Sequence, residues 1–463
     1  MVRKHDRRQK PRRDLDTRPR DATPRRSSPD DTTGVKNVKS AGASRGPSEQ
    51  FFDHQQEDVP EFRSEESMPA KSGRPPEPEV PSKPKQPPAE SRPIRWIAFD
   101  IGKDDIDLPP YRSAELGAQL VEPVTGTGGR KTWHHTSNSR LVAYGLLCPK
   151  IVGNCEDSPP VFITPSEKSA ESTYLGVFDG MGGAGAGQVR FTLHNRTPIS
   201  TTEALLASRI CHRAAVRQVT RLETIRRDDL KQAIVSLLRK ATSLTSLSEG
   251  SRIRGTLTKR LPTTLAVSQV QSIPDRNMSR ITTWWAGDSR AFLLTPEHGL
   301  AAITRDHVRE SDQLEQLRSD PPIENVVNQS TDFYLEETIQ EVSGPFVLLL
   351  ATDGVFGYLP TPGFLELGLL DALSNRSQEV SNKFATFCTA YAADDVSAVM
   401  VVSGFQDDRD IADRFRIRLA TLRNQYSQIL TMTSDDPNWN VEVERLWGLE
   451  RPTYQRLLGV SID

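Results

Sequence analysis

Two apolar segments of the chain each end in an Asp-Gly dipeptide, and this repetition constrains the fold more than any other feature. Residues 174–178 run into Asp179-Gly180, and residues 348–352 run into Asp353-Gly354. Short apolar runs rich in β-branched and aromatic residues predict buried strands. Asp-Gly is usually a hairpin turn, but neither dipeptide is followed by the second alternating strand that a hairpin requires. The sequence therefore predicts two buried strands that each carry a carboxylate at their end.

Two further acidic pairs lie directly before predicted strands. Asp394-Asp395 precedes residues 396–402, and Glu156-Asp157 precedes residues 161–163. We expect these four acidic strand ends to converge, and converging carboxylates repel one another unless a cation neutralises them. Ligand sets made only of oxygen select hard ions such as Mg²⁺ or Mn²⁺, and the chain has no His or Cys pattern typical of zinc. The sequence therefore predicts a site for divalent metal ions.

The order of the remaining elements indicates the fold class. Further strands are predicted at residues 141–147, 264–270, 280–285 and 346–350. Two helices are predicted in the middle of the chain. Ser200 and Glu203 have the spacing of a capping box at the start of the first, and an apolar stripe from Leu230 to Leu238 marks the second. Helices segregated from strands favour an α+β layered fold over an alternating parallel sheet.

The first 94 residues differ in composition from the rest of the chain. They contain 15 of the 33 prolines and few aliphatic residues, so they cannot bury enough surface to offset the entropy of ordering. We predict a disordered tail over residues 1–94, a folded domain over residues 95–405 and a helical extension over residues 406–463. The basic start of the tail is predicted to be a solvated tether, with docking on an acidic partner as the alternative. The extension has four apolar residues at helical spacing, Ile411, Phe415, Leu419 and Leu422.

Charge and hydropathy argue against several classes of protein. The 59 basic and 61 acidic side chains nearly cancel, so the whole chain has no net attraction for nucleic acid or for an anionic membrane. The longest apolar run, residues 346–351, is far shorter than the roughly 18 residues that cross a bilayer. Residues 1–26 lack the apolar stretch of a secretory signal, and the four cysteines form no C-x-x-C pair. We therefore expect a cytoplasmic protein without nucleic-acid or membrane partners.

A glycine-rich stretch after the first Asp-Gly permits a second interpretation. Gly180, Gly182 and Gly185 match the dinucleotide-binding pattern G-x-G-x-x-G after an apolar strand. Such a site needs a helix that begins at the loop and binds the pyrophosphate at its amino end. Residues 189–199 have no helical stripe, and the chain lacks the Gly-Lys-Ser/Thr triplet of a P-loop. Nucleotide binding is therefore a minor alternative.

Five motifs, in order along the chain, resemble those of the metal-dependent Ser/Thr protein phosphatases, the type 2C family. They are GVFDGMGG at residues 176–183, AGDSRA at 286–291, TRDH at 304–307, LATDGV at 350–355 and DDVSAV at 394–399. Met181 is similar to bacterial members of the family. The resemblance covers roughly residues 135–405. It implies a β-sandwich of two antiparallel sheets flanked by helices, with a two-metal centre at one end.

The resemblance also implies roles for the acidic residues. Asp179 is expected to bridge two Mn²⁺ or Mg²⁺ ions, with the carbonyl of Gly180 completing one coordination shell. The other expected carboxylate ligands are Asp157, Asp353 and Asp394. Three more acids have less direct expected roles: Glu156 acts through metal-held water, Asp288 helps to bind a third, weaker ion, and Asp395 is the alternative to Asp394.

One position departs from the family pattern. The family places a phosphate-binding arginine five residues before the first metal-binding Asp, where this chain has Val152. Lys150 and Arg140 are the candidate replacements, although a lysine supplies a point charge in place of a bidentate fork.

The function that the resemblance implies is hydrolysis of phosphoserine and phosphothreonine in proteins. Asp179 and Asp353 are the expected catalytic residues, because they act through a hydroxide that bridges the metals, and no phosphoenzyme is needed. Phosphoproteins are the implied substrates, and a cognate Ser/Thr kinase is the natural partner by analogy. A pseudophosphatase, which binds phosphoproteins without hydrolysing them, is the alternative, and Val152 is its best support.

Overall fold

The computed structural model describes the chain from Trp96 to Leu458 in segments. These are residues 96–99, 119–121, 124–125, 130–136, 141–151, 155–165, 172–183, 185–192, 198–219, 225–244, 246–247, 260–310, 312–319, 321–330 and 332–458. The predicted tail, residues 1–94, lies outside the described residues.

Strands and helices within the described residues follow the predicted order. The strands are β1 (Trp96–Phe99), β2 (Gln119–Val121), β3 (Val124–Thr125), β4 (Lys131–Thr136), β5 (Leu141–Cys148), β6 (Val161–Pro165), β7 (Ser172–Gly180), β8 (Gln188–Thr192), β9 (Pro198–Thr202), β10 (Ser246–Leu247), β11 (Thr263–Ile273), β12 (Met278–Ala286), β13 (Arg290–Thr295), β14 (Gly299–Ala302), β15 (Glu336–Ser343), β16 (Phe346–Ala351) and β17 (Val396–Ser403). The α-helices are α1 (Glu203–Val219), α2 (Arg227–Leu244), α3 (Gln313–Ser319), α4 (Asp353–Phe356), α5 (Phe364–Leu373), α6 (Ser377–Tyr391), α7 (Asp408–Gln425) and α8 (Trp439–Tyr454). Each strand predicted from an apolar run is present.

The strands form two large sheets and one small sheet. The first large sheet has the order β15-β12-β11-β7-β6-β1-β2, and the second has the order β14-β13-β16-β17-β5-β4-β3. Neighbouring strands are antiparallel in both, apart from the parallel pair β1 and β2. The small sheet has the order β10-β8-β9.

The two large sheets pack face to face, and their facing side chains form one buried layer. Val177 of β7 lies in the same apolar cluster as Leu348 and Leu350 of β16. The alternate residues of β16, Val347 and Leu349, belong to a different cluster on the outer face of the second sheet. Because β16 is buried on both faces, its sequence is continuously apolar. The predicted α+β sandwich of two antiparallel sheets flanked by helices is thus confirmed.

Helices cover both outer faces of the sandwich. α1 and α2 pack on the first sheet, where the predicted stripe of α2 buries Leu230, Ile234 and Leu238 completely. The start of α1 differs from its prediction. Residues 198–202 form β9, so Ser200 lies in a strand, and the hydroxyl of Thr202 accepts the hydrogen bond from the backbone N–H of Leu205. Strand pairing therefore overrides the capping box, and the cap moves by two residues.

The C-terminal helices share the core of the second sheet. The predicted apolar stripe of α7 is confirmed, since Ile411, Phe415, Leu419 and Leu422 are all buried in the cluster that covers β16 and β17. Arg418 on the same helix pairs with the buried Glu366 of α5 at 2.7 Å. Among the described residues, no helix combines the length and the apolar character needed to cross a bilayer.

Candidate metal centre

The end of β7 carries Asp179 and is fixed by neighbours on two sides. Thr263 of β11 pairs with Gly180, and its hydroxyl donates a hydrogen bond to the backbone carbonyl of Asp179. On the other side, the backbone N–H of Ser158 donates a 2.9 Å hydrogen bond to the carbonyl of Phe178. This bond places the segment that carries Asp157 beside the end of β7.

The end of β16 carries Asp353 in a short helix and not in a hairpin turn. The backbone N–H of Thr352 bonds the carbonyl of Ser397 on β17 at 3.0 Å, and α4 begins at the next residue. A Cβ added to Gly354 would lie 1.8 Å from the backbone carbonyl oxygen of Asp395. Glycine is therefore required here because the segment that carries Asp394 and Asp395 crosses the start of α4 at close range.

The glycine-rich loop after β7 packs against α1, and this contact explains the dinucleotide-like pattern. A Cβ added to Gly180 would lie 2.6 Å from the carbonyl oxygen of Glu156, and one added to Gly185 would lie 2.8 Å from the backbone nitrogen of Ala204. The N–H groups at the start of α1 are already bonded within the chain. Glu203 donates to the carbonyl of Gly187 at 2.8 Å, and Ala204 donates to the carbonyl of Gly185 at 3.1 Å. These N–H groups have little capacity left for a pyrophosphate, which argues against nucleotide binding.

Four aspartates from separate strand ends form one acidic cluster. The carboxyl groups of Asp179 and Asp353 act on each other, and so do those of Asp157 and Asp179. Asp288, in the turn after β12, acts on Asp179 electrostatically. Asp157 is only 2% exposed, whereas the other three are half-buried.

Burial and mutual repulsion raise the pKa of Asp157, Asp179 and Asp288 well above the ordinary value. For Asp179 the largest cause is burial, followed by the charges of Asp157, Asp353 and Asp288. For Asp157 burial again comes first, followed by the charges of Asp395 and Asp353. The charged groups that act most strongly on Asp179 are thus all carboxylates, which makes the cluster costly when it is fully ionised.

The two acids of the Asp394-Asp395 pair lie in different environments. Asp395 is 7% exposed, and its carboxylate accepts 2.7 Å hydrogen bonds from the backbone N–H groups of Lys150 and Glu156. Asp394 is exposed, and its carboxylate accepts a 2.8 Å bond from the backbone N–H of Asp395. Asp395 therefore joins β17 to the segment before Asp157. Asp394 lies at the rim of the cluster, where its charge acts on Glu156.

Asp288 follows a glycine in the left-handed region, Gly287 at φ +93°. The backbone N–H of Gly287 donates to Nδ1 of the buried His307 at 2.9 Å, which fixes this turn from behind. Oδ1 of Asp288 is buried without a hydrogen-bond partner. A buried, unbonded carboxylate oxygen in an acidic cluster is a site where a cation lowers the energy.

No group of three or more His, Cys, Asp or Glu side chains in the described ranges is arranged as a ready metal-binding set. The carboxyl groups instead repel one another, since the charge of each raises the pKa of its neighbours. The donor chemistry nevertheless fits a hard divalent cation, because the cluster offers only oxygen atoms.

The predicted phosphate-binding residues are the least defined part of the site. The side chain of Lys150 is exposed, and Arg140 and Val152 lie outside the described residues. The half-buried Glu156 contacts Thr202 and lies against the glycine-rich loop, and burial raises its pKa.

Sequence patterns gave no role to Thr352 or Arg290, although both lie inside the five motifs. The hydroxyl of Thr352 donates a 2.9 Å hydrogen bond to Asp157. Arg290 forms a buried bidentate pair with Asp306, at 2.8 and 2.6 Å. Both residues lie within two positions of a motif acid, and this was the one sequence signal for their roles. Neither hydrogen-bond partner is a neighbour in sequence.

No protein-family model matches this chain, and no curated protein matches it. Solved structures do show similarity. The Ser/Thr phosphatase Stp1 of Staphylococcus aureus is 15% identical, with a TM-score of 0.41, and the match covers 58% of this chain and 97% of Stp1. The Ser/Thr phosphatase PstP of Mycobacterium tuberculosis is 17% identical, with a TM-score of 0.38, over 57% of this chain and 99% of that one. A PstP catalytic domain in complex with two manganese ions is also 17% identical, with a TM-score of 0.37, over 57% and 98%. The solved structures to which the chain is similar thus include bacterial Ser/Thr phosphatases, the family that its five motifs resemble.

Proposed function

We propose that this chain is a metal-dependent phosphatase that removes phosphate from serine and threonine residues of proteins. The observation that carries the proposal is the convergence of Asp157, Asp179, Asp353 and Asp288 on one acidic cluster. Each comes from a separate strand end. Clustered like charges are destabilising by themselves, so a fold that brings them together gains most when a cation binds there.

The residues proposed to hold two Mn²⁺ or Mg²⁺ ions are Asp157, Asp179 and Asp353, with the carbonyl of Gly180. Asp394 is proposed as a further ligand from the exposed rim. Asp288, with its unbonded buried oxygen, is proposed for a third ion. When bound, such ions neutralise a phosphate dianion and lower the pKa of water.

The chain's own residues orient this centre. Thr352 directs one oxygen of Asp157 through a hydrogen bond. Asp395 fixes the Lys150 and Glu156 segment by accepting two backbone hydrogen bonds. These fixed contacts limit the freedom of the acidic side chains before a substrate arrives, which reduces the reorganisation needed for catalysis.

The cysteines support direct attack by water over a covalent phosphocysteine route. Burial raises the pKa of the Cys148 thiol to about 11, and it raises the pKa of Cys155, Cys211 and Cys388 as well. A thiol nucleophile needs the opposite shift, because the thiolate is the reactive form. The proposed substrates are phosphoproteins in the cytoplasm, and the proposed partner is the Ser/Thr kinase that phosphorylates them.

The test is hydrolysis by the purified full chain. With Mn²⁺, the wild-type protein should cleave para-nitrophenyl phosphate and release phosphate from a phosphothreonine peptide, and EDTA should stop both reactions. Asp179→Asn should lower kcat by at least about a hundredfold, as is usual when a central electrostatic group is lost. Asp413→Asn is the matched control, because this exposed carboxylate lies on α7 and pairs only loosely with Arg409, at 3.7 Å.

Two results would contradict the proposal. Turnover that persists in EDTA or in the Asp179→Asn variant would exclude the acidic cluster as the centre. Phosphopeptide binding without turnover, at any Mn²⁺ or Mg²⁺ concentration, would instead favour the pseudophosphatase.

A further inference from the structure

The last residue of α8 reaches into the region of the candidate centre. The hydroxyl of Tyr454 accepts a 3.0 Å hydrogen bond from the guanidinium of Arg290, although 164 residues separate them. Arg290 lies two positions after Asp288 in the same motif. Tyr454 is 1% exposed, and Arg290 is 2% exposed, so solvent does not compete for this bond.

Arg290 is held in one position by four separate groups. Asp306 binds it through two oxygens, and Oε1 of Gln316 accepts another hydrogen bond at 3.0 Å. The guanidinium also stacks on the ring of Phe356, 4.2 Å from its centroid. Phe356 is the last residue of α4, the helix that Asp353 begins. Arg290, which lies two residues after Asp288, therefore contacts the helix that carries Asp353.

Further contacts of α8 involve the segment that supplies Asp306 and Gln316. Arg451 forms an ion pair with Asp312 at 3.3 Å, and Arg318 at the end of α3 binds Glu444 at 3.3 Å. The side chain of Gln455 donates a hydrogen bond to Gln313. The helix is thus attached to the partners of Arg290 as well as to Arg290 itself.

The aromatic packing around Tyr454 connects α8 to the second sheet. Its ring lies edge-on to Phe292 of β13, with centroids 6.1 Å apart. It also lies edge-on to Trp447 on the same face of α8, with centroids 5.6 Å apart. Phe292 in turn lies edge-on to Phe356. These ring contacts restrict the buried side chain of Tyr454, which lowers the entropic cost of its bond to Arg290.

We propose that α8 is a brace for the candidate centre, and that Tyr454 is a positioning residue that fixes the Asp288 segment through Arg290. The proposal rests on the proposed function where it concerns metal binding, but the brace itself is a property of the metal-free chain. The contacts of Tyr454 thus make α8 a structural part of the proposed catalytic domain. A catalytic fragment that ends near residue 405 would lack this brace.

The experiment compares the full chain with Tyr454→Phe and Tyr426→Phe. Both substitutions remove one hydroxyl from a buried tyrosine of the same helical layer, since Tyr426 is 0% exposed and bonds Glu450 and Thr361. Hydrogen–deuterium exchange of residues 286–291 without metal measures the brace. Calorimetric Mn²⁺ titration and the split between kcat and KM measure its effect on the centre.

We expect Tyr454→Phe to speed exchange across residues 286–291 and to weaken Mn²⁺ binding about threefold to tenfold, as for one net hydrogen bond. The KM for a phosphopeptide should change less than kcat. Tyr426→Phe should leave the exchange of this segment and the Mn²⁺ affinity unchanged, even though it destabilises the fold.

Equal effects of the two variants, or unchanged exchange at residues 286–291 in Tyr454→Phe, would overturn the brace. Absence of both Mn²⁺ binding and turnover in the wild-type chain would refute the proposed function alone. In that case the exchange measurement would still decide for or against the brace.

Discussion

The hydroxyl of Thr352 donates a 2.9 Å hydrogen bond to the carboxylate of Asp157, which lies 195 residues earlier in the chain. The same hydroxyl oxygen accepts a 3.0 Å bond from the backbone N–H of Ser397. Because Asp353 is the next residue, one fully buried side chain links the segments that carry Asp157 and Asp353 to β17.

Replacement of Thr352 by valine keeps the shape of the side chain and removes both bonds. We expect Thr352→Val to lower the free energy of unfolding by about 1–3 kcal/mol, since it leaves a buried carboxylate oxygen and a buried N–H without partners. Mn²⁺ affinity should fall as well. Urea denaturation and calorimetry measure the two effects. Thr421→Val, on an exposed face of α7, is the control and should change stability by less than about 0.5 kcal/mol. An equal loss of unfolding free energy in both variants would show that the two Thr352 hydrogen bonds stabilise the fold no more than an exposed hydroxyl does.

Asp179→Asn should affect the metal-free and the metal-loaded protein in opposite directions. It removes one of the mutually repelling carboxylates, so the metal-free protein should melt a few degrees higher than wild type. The increase in Tm that Mn²⁺ gives to the wild type should disappear, because binding to the native state alone produces that increase. Thermal melts with and without Mn²⁺ test both statements. A lower metal-free Tm would show that repulsion at Asp179 is not a dominant cost.

Substitutions of the two adjacent acids before β17 should have different effects on Mn²⁺ affinity and on the free energy of unfolding. Asp395→Asn weakens two backbone hydrogen bonds to a buried carboxylate and should cost about 1–3 kcal/mol of unfolding free energy. Asp394→Asn changes an exposed side chain and should leave stability within about 0.5 kcal/mol, but it should reduce Mn²⁺ affinity. Denaturation and calorimetry on the two variants distinguish the roles. Loss of Mn²⁺ affinity in Asp395→Asn alone would assign the ligand to the other residue.

Gly354→Ala tests whether the glycine of the second Asp-Gly is needed for close packing against Asp395 and not for a turn. The added Cβ would lie 1.8 Å from the backbone oxygen of Asp395, so α4 must shift away from the acidic cluster. We expect a loss of about 1–3 kcal/mol or more, together with reduced turnover. Gly183→Ala is the matched control, because a Cβ there meets nothing within 4 Å. Similar stability of both variants would contradict the close approach.

Glu450 should make stability depend on pH independently of the acidic cluster. Burial raises its pKa from 4.5 to about 7, although hydrogen bonds from Tyr426, Thr361 and Gly363 oppose the shift and the charge of Glu366 adds to it. The folded state therefore keeps the proton that the unfolded state releases above pH 4.5. Stability from this group is complete below pH 4.5 and is lost as the pH rises to about 7, by about 3 kcal/mol in total.

The variant Glu450→Gln removes this titration. The difference in unfolding free energy between the variant and the wild type should shift by about 3 kcal/mol in favour of the variant from pH 4.5 to pH 8. Urea denaturation at several pH values measures it. Glu444→Gln is the control for loss of an exposed carboxylate on the same helix. A pH-independent difference for Glu450→Gln would contradict the raised pKa.

The sequence was sufficient to predict the layered fold, and it directed attention to Asp157, Asp179 and Asp353, whose charges act on one another in the structure. Apolar runs such as residues 346–351 identify strands because both faces of β16 are buried. A chain that places Asp179 and Asp353 at the ends of such strands brings them to the same end of a sandwich. These inferences need only local patterns and the geometry of packed sheets.

Other features depended on tertiary contacts that local patterns do not encode. The capping box predicted at Ser200 failed because β9 pairs with β8 and continues to Thr202. The exposure of Asp394 and the burial of Asp395 follow from where β17 meets the segment before Asp157. The bond between Arg290 and Tyr454 spans 164 residues, and neither residue type predicts the other as its partner.

The position of β17 has a consequence for how the protein is made. Among the described residues it is the last strand, yet it lies between β16 and β5, and β5 is one of the early strands. A ribosome must therefore synthesise more than half of the polypeptide after β5 before that strand gains its neighbour. Products of premature termination between Ala351 and Val396 would contain β5 and β16 without the strand that separates them, and such unpaired apolar edges favour aggregation. Synthesis of this protein thus favours either prompt completion or the help of chaperones.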